Sequence, residues 1–246
     1  MKRQLPYALL YIALLGSCAK HYQRQKEDFN HYSLKEQNEN GPVGTVVAGY
    51  KTKVTAETER VIATTQEVIT RNKEQSPLGN FVCDAMKHAS DSIFKSPAAD
   101  LVIVNRRGLR IDLPKGDIKT GTIFELMPFD NELVLISVPG EKLMAFLPLF
   151  RQEKHPFLGA TITLERDSVS GFLINGQPVD GQKTYRVLTS DYLANGGDNF
   201  KFLQDPLALQ TSGFKIRDAI INYCLFLTQQ GKQIIPYTDE RLKISK

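Results

Sequence analysis

The chain has 246 residues, 41% hydrophobic and 24% charged, with 13 Phe and 9 Tyr but no Trp. That composition excludes collagen-like, disulfide-scaffold and wholly disordered classes, and the length suits one full globular domain plus a tail. Residues 1–17 hold Lys2 and Arg3 and no acid, so without them the net charge falls from +4 to +2. A near-neutral chain of this kind carries no electrostatic demand for nucleic acid or an anionic surface.

Lys2 and Arg3 precede an apolar run from Leu5 to Leu15, which ends in Leu15-Gly16-Ser17-Cys18. The run is of signal-peptide length and shorter than the about 20 apolar residues that span a bilayer. Its end resembles a bacterial lipobox, in which a small-residue cleavage site precedes an acylated Cys. The expectation is a lipoprotein signal peptide over 1–17 and lipidation at Cys18, with the membrane as partner through that anchor. The alternative is an ordinary signal peptide in which Cys18 is incidental. Residues 18–45, rich in Gln, Asn, Lys and Glu and closing on Gly41-Pro42, read as a polar tether. One domain is expected over 46–246, because no second linker, repeat or low-complexity block follows.

Val61 to Thr65 has the pattern of a strand. Ser76-Pro77 is a helix start, a capping hydroxyl followed by Pro at the first helical position. Leu78, Phe81, Val82, Ala85, Met86 and Ala89 then recur at helical spacing. Leu101 to Val104 is a continuous apolar run, as in a strand buried on both faces. Glu132 to Val138 is a strand, and a helix carrying Leu143, Phe146 and Leu147 follows Gly140. Thr161–Leu164 and Phe172–Ile174 are short strands near an Asn175-Gly176 turn. Tyr185 to Thr189 leads into a Gly-rich loop. A last helix runs from about Lys215 to a stop at Gly231, burying Ile216, Ala219, Ile220, Tyr223 and Leu227. This order implies an α+β fold, a mixed sheet with flanking helices, and not a regular βαβ repeat. Cys83 and Cys224 each fall in an apolar helical stretch; buried free thiols and a disulfide both remain open.

Three loops concentrate polar and aromatic residues. Asn105-Arg106-Arg107-Gly108-Leu109-Arg110 follows the strand Leu101 to Val104, at the end where open sheets bind ligands. An Arg there offers a planar fork of donors to phosphate or carboxylate, or is simply part of a solvated basic turn. Met127-Pro128-Phe129-Asp130-Asn131 lies between a short helical stretch and the next strand. Its Phe either caps the core or offers a face to a flat ligand. In the third, Ser190 to Phe200, Gly196-Gly197 permits positive φ and close backbone approach. Asp198 beside it either accepts hydrogen bonds from a sugar or base edge or caps a helix.

Together with Ser76-Pro77-Leu78-Gly79-Asn80-Phe81-Val82-Cys83-Asp84-Ala85-Met86 and Asp100-Leu101-Val102-Ile103-Val104-Asn105, these segments resemble the C-terminal domain of the 5'-nucleotidase family. Gly108-Leu109-Arg110, Pro128-Phe129-Asp130-Asn131 and Leu193-Ala194-Asn195-Gly196-Gly197-Asp198 follow in the family's order. The resemblance implies a nucleotide- or nucleoside-binding domain in which Phe129 and Tyr192 clamp the base. It implies that Asn105, Gly108 and Arg110 form a segment whose Asn and Arg meet the ligand. It implies a base contact from Asn131 and a nucleoside contact from Asp198, beside the turn Gly196-Gly197. Arg107 departs from a usual Gly, Tyr192 from a usual Phe, and Glu74-Gln75 stands where several members place another phosphate-binding Arg.

Full-length members also carry a metallophosphatase domain with two metal ions. The four histidines here, His21, His31, His88 and His155, stand in none of the Asp-x-His or Asn-His-Glu settings such a site uses. The segment ahead of Val46 is too short for that domain. The expectation is therefore no catalytic residue, metal or cofactor in this chain, with divalent metals only in a separate metallophosphatase partner. The resemblance points to the recognition half of a split phosphohydrolase at the bacterial cell envelope. The alternative is a non-catalytic nucleotide-binding or interaction lipoprotein.

Overall fold

The computed structural model describes residues 41–71, 74–94, 99–166 and 168–245. The signal and lipidation expectations, most of the tether, and His21 and His31 lie outside these residues. Contacts divide the chain into two units, residues 1–46 and 47–246. Helix α1 (Pro42–Thr58) has no buried residue, and the first core side chain after it is Ile62. Among the described residues no helix is long and apolar enough to cross a membrane.

The second unit is an α+β fold around a mixed five-stranded sheet. Its strands are β2 (Leu101–Ile103), β4 (Glu132–Pro139), β5 (Phe157–Leu158), β9 (Thr184–Ser190) and β10 (Ala208–Lys215), in the order β10-β4-β9-β2-β5. Strands β2 and β9 run parallel; β4 is antiparallel to both β9 and β10. Side chains alternate across a strand, so each central strand feeds two cores. Val102, Leu133, Leu135 and Leu188 point to one core, while Leu101, Ile103, Val134, Ile136 and Val187 point to the other.

The first core is closed by α2 (Pro77–Ile93), α3 (Thr120–Leu126) and α7 (Ile216–Gln229), with the two-stranded pair β1 (Val61–Thr65) and β3 (Gly116–Lys119) beside them. Ser76 caps α2, its hydroxyl accepting from the Gly79 amide at 2.9 Å, with Pro77 at the first turn. Cys83 on α2 and Cys224 on α7 are buried free thiols, and burial pushes each up to about 12. Neither is a nucleophile at neutral pH.

The second core is aromatic: Phe146, Phe150, Phe157, Phe172 and Phe200 pack together. Each contributes roughly 1.5–3 kcal/mol by leaving water. A four-stranded sheet covers it, ordered β11 (Leu242–Ser245), β6 (Ala160–Glu165), β7 (Ser168–Ile174) and β8 (Gln177–Pro178). The single helix expected after Gly140 is two, α4 (Gly140–Leu143) and α5 (Phe146–Glu153). Pro148 explains the break: without an N–H it sits well only in a first turn, so the helix must restart just before it.

Candidate functional site

Sheet register brings the three polar loops together. Because β2 and β9 are parallel, with Leu101 beside Val187, the residues after β2 and after β9 leave the sheet at one end. Because β4 is antiparallel to β9, with Leu133 opposite Ser190, the residues just before β4 emerge at that same end. The result is a cleft of about 320 Å³ lined by Asn105, Arg107, Gly108, Arg110, Phe129, Asn131, Tyr192 and Asp198. Its size falls within the range of small-molecule sites. Seven of the nine binding residues expected from the sequence line it. Gly196 and Gly197 do not, and act on its wall instead.

Asn105 and Asp198 contact each other. The Asn105 side-chain amide donates to Asp198 Oδ2 at 2.7 Å, and the Tyr192 hydroxyl donates to Asp198 Oδ1 at 2.9 Å. Asp198 has φ 47 within a tight turn that follows Gly196, itself at φ 86; it is not a helix cap. The hydrogen bond to this carboxylate raises the Tyr192 hydroxyl above its ordinary range. Each carboxylate oxygen keeps a lone pair for a ligand hydroxyl or amine. Two glycines are needed for this arrangement. A Cβ at Gly108 would fall 2.7 Å from Asn105 Oδ1, and one at Gly197 would fall 2.5 Å from Tyr192 Cε1. Gly197 thus lets the Tyr192 ring lie against the backbone.

Phe129 and Tyr192 are large apolar rings left 40% and 44% exposed, although both stand over an otherwise well-packed sheet end. Arg110 carries the cleft's unpaired guanidinium: its amide bonds to Leu126 O and its Nη1 to Arg107 O at 3.4 Å. Among the described residues no carboxylate pairs with it. Arg107 instead is held by Glu153 at 2.5 Å. Glu74 pairs with Lys154 at 3.7 Å.

Supporting residues escape a reading by composition. His155 is 1% exposed; its Nδ1 accepts from the Arg106 amide at 3.2 Å and fixes the start of the Arg107-Gly108 turn. Burial lowers its pKa to about 4, Glu153 and Asp198 opposing, so the ring is neutral and able to accept. Asp191 opens the short helix α6 (Asp191–Ala194). Its Oδ1 accepts from the Glu132 and Tyr192 amides, tying the Tyr192 turn to β4. Neither the His155–Arg106 bond nor the Asp191–Glu132 bond has a local sequence signature, since in each the partner lies on a different element.

Among the described residues no group of three or more His, Cys, Asp and Glu could hold a metal ion. The cleft itself has the wrong donors for a metal pair: two guanidiniums, two amides, and one carboxylate already hydrogen-bonded. A dinuclear metal centre does not fit it. His88 packs at a tilt against Phe226 and Tyr223, with ring centroids 4.4 Å and 5.3 Å away.

The fold is similar to that of a 5'-nucleotidase precursor from Thermus thermophilus, with a TM-score of 0.69 and 23% identity, covering 81% of this chain and 42% of that one. In sequence, protein UshA of Escherichia coli (strain K12) is 28% identical over 122 residues, 47% of this chain and 22% of that protein. A 5'-nucleotidase-related protein of Glossina morsitans morsitans is 30% identical over 180 residues, 61% of this chain and 32% of that protein. The chain thus spans between a fifth and a third of the length of these two relatives. The sequence model of the 5'-nucleotidase C-terminal domain matches residues 54–205, more than half of the chain, which therefore belongs to that family.

Proposed function

We propose that this chain is the nucleotide-recognition half of a split 5'-nucleotidase-type phosphohydrolase. The carrying observation is the single cleft that holds two exposed rings, Phe129 and Tyr192, beside the unpaired guanidinium of Arg110. A purine or pyrimidine base stacks between the rings, an interaction of about 1–3 kcal/mol per base. Arg110 takes the phosphate in its fork. Asp198 and Asn105 meet the sugar, and Asn131 the base edge.

The two metals and the attacking water come from a separate metallophosphatase chain, because the donors of this cleft suit an organic anion and not a pair of divalent ions. Binding energy from the base then positions the phosphoryl group for in-line attack on that partner's surface. The pair works at the bacterial envelope, with Cys18 as the lipid anchor of this chain and the polar stretch behind it as the tether.

The test is a calorimetric titration of the metal-free protein with AMP, adenosine and a UDP-sugar. Saturable binding that weakens by about tenfold or more in both Phe129→Ala and Tyr192→Ala is expected. Affinity unchanged in both variants, or no binding of any of the three, contradicts the reading.

A further inference from the structure

The arm that carries Phe129 is built by a residue from a distant part of the chain. Arg217 stands in the first turn of α7, 7% exposed. Its Nη1 donates to the carbonyl oxygens of Phe129 at 3.3 Å and Met127 at 3.5 Å, and its Nη2 donates to Asp130 Oδ1 at 2.7 Å. The face of the guanidinium lies over the Phe124 ring, 4.2 Å from its centroid. Among the described residues, the bond to Arg217 is the only backbone hydrogen bond Phe129 makes. Lys215 adds a second cation at Asp130 Oδ2, 3.1 Å away.

The position is unfavourable on general grounds. A cation in the first turn opposes the helix dipole, and a buried guanidinium must recover its lost hydration. Its Nε finds no partner. Packing alone would be served as well by Met or Leu. What Arg supplies, and an apolar residue cannot, is a rigid fork that fixes two carbonyls and a carboxylate at once. The same register that forms the cleft puts it there: Lys215 lies opposite Glu132, so the start of α7 sits beside the residues that precede β4. The Ile216 amide bonds to the Asn131 carbonyl at 3.0 Å and closes the other side of the loop.

We propose that Arg217 is the positioning residue for the Phe129 ring, holding the Met127–Asn131 loop in the shape that presents the ring face to a base. The inference rests on the nucleotide reading for its consequence in binding, but not for its consequence in loop order. Pre-organisation of this kind lowers the cost of fixing the ring when ligand arrives.

The test is a double-mutant cycle in the full chain with Arg217→Met and Phe129→Ala, titrated with AMP and with ribose 5-phosphate, which has no base. Arg217→Met should weaken AMP by about the same tenfold as Phe129→Ala, and the double variant should lose no more than about twofold beyond Phe129→Ala alone. Ribose 5-phosphate should be unaffected. A full additional loss on the Phe129→Ala background, or an equal loss for ribose 5-phosphate, overturns the proposal. If Arg217→Met does not fold, Asp130→Asn at an exposed side chain runs the same cycle with a smaller expected loss. If the parent chain binds no AMP, the nucleotide reading fails, and hydrogen exchange of the bonded amides that flank the loop, Met127, Glu132 and Ile216, decides the positioning role alone. Exchange faster by about tenfold in the variant supports it, and unchanged exchange overturns it.

Discussion

Acid should weaken this protein through His155, and the size of the effect follows from its surroundings. The imidazole is almost completely buried, edge-on to Phe200 with ring centroids 4.8 Å apart, and its Nδ1 accepts from the Arg106 amide. Burial, helped by the Arg107 and Arg106 charges, outweighs the Glu153 and Asp198 carboxylates and sets its pKa to about 4. In the unfolded chain the ring takes a proton near its ordinary value of about 6.5. The native state therefore binds fewer protons than the unfolded state between those two values. Stability is complete above the upper value and falls as pH drops through the window. At about 1.4 kcal/mol for each tenfold difference in proton affinity, the full loss is about 3 kcal/mol, of which about 2.5 is reached by pH 4.5. Urea unfolding at about pH 7.5 and 4.5, on the parent and on His155→Asn, isolates this share. The Asn Oδ1 sits close to the position of Nδ1 and accepts without titrating. Carboxylates such as Asp84, raised by burial, and Asp130, lowered by Arg217 and Lys215, act alike in both proteins and cancel. The parent should lose about 2.5 kcal/mol more than the variant. Acid losses that agree within about 0.5 kcal/mol would refute a neutral, buried His155.

Three further substitutions probe other parts of the account. Gly197→Ala should displace the Tyr192 ring, since the new Cβ meets it; calorimetry should then show AMP affinity lower by about tenfold. Tyr192→Phe keeps the ring and removes the hydroxyl's two bonds to Asp198, one donated to the carboxylate and one accepted from the amide, so AMP should weaken by about 0.5–1.5 kcal/mol. A loss as large as that of Tyr192→Ala would mean that the hydroxyl, and not the ring face, carries the contact. Ser76→Ala removes the cap on the Gly79 amide and should cost about 1 kcal/mol in urea unfolding, with binding unchanged.

Much of the fold is legible in the sequence wherever one residue type has one structural use. Ser76-Pro77 starts a helix, Leu101 to Ile103 is a strand buried on both faces, and Asn175-Gly176 joins β7 to β8. Strand β10 is not legible, because an edge strand that leaves most of Ala208–Lys215 exposed has no apolar alternation to read. The helix over Pro42–Thr58 is equally hidden, since it buries nothing and so has no stripe set by a core. The candidate site divides in the same way. Residues of the Asn105–Arg110, Phe129–Asn131 and Tyr192–Asp198 loops stand out by type, but their meeting depends on the pairing of β2 and β4 with β9. Arg217 and His155 act from elements remote in sequence from the loops they hold, and nothing in their own neighbours marks them; Asp191 lies beside Tyr192, but its tie to the Glu132 amide depends on the pairing of β4 with β9.

The central claim is that one cleft, formed by three loops at one end of the sheet, is where a nucleotide binds. The most direct measurement is an AMP titration of the ¹⁵N-labelled protein followed by amide chemical shifts. The account expects the largest changes within residues 105–110, 129–131 and 192–198, saturating together with one affinity. Changes centred instead on the groove beside Asp205 and Leu209, or no saturating change at all, would contradict it.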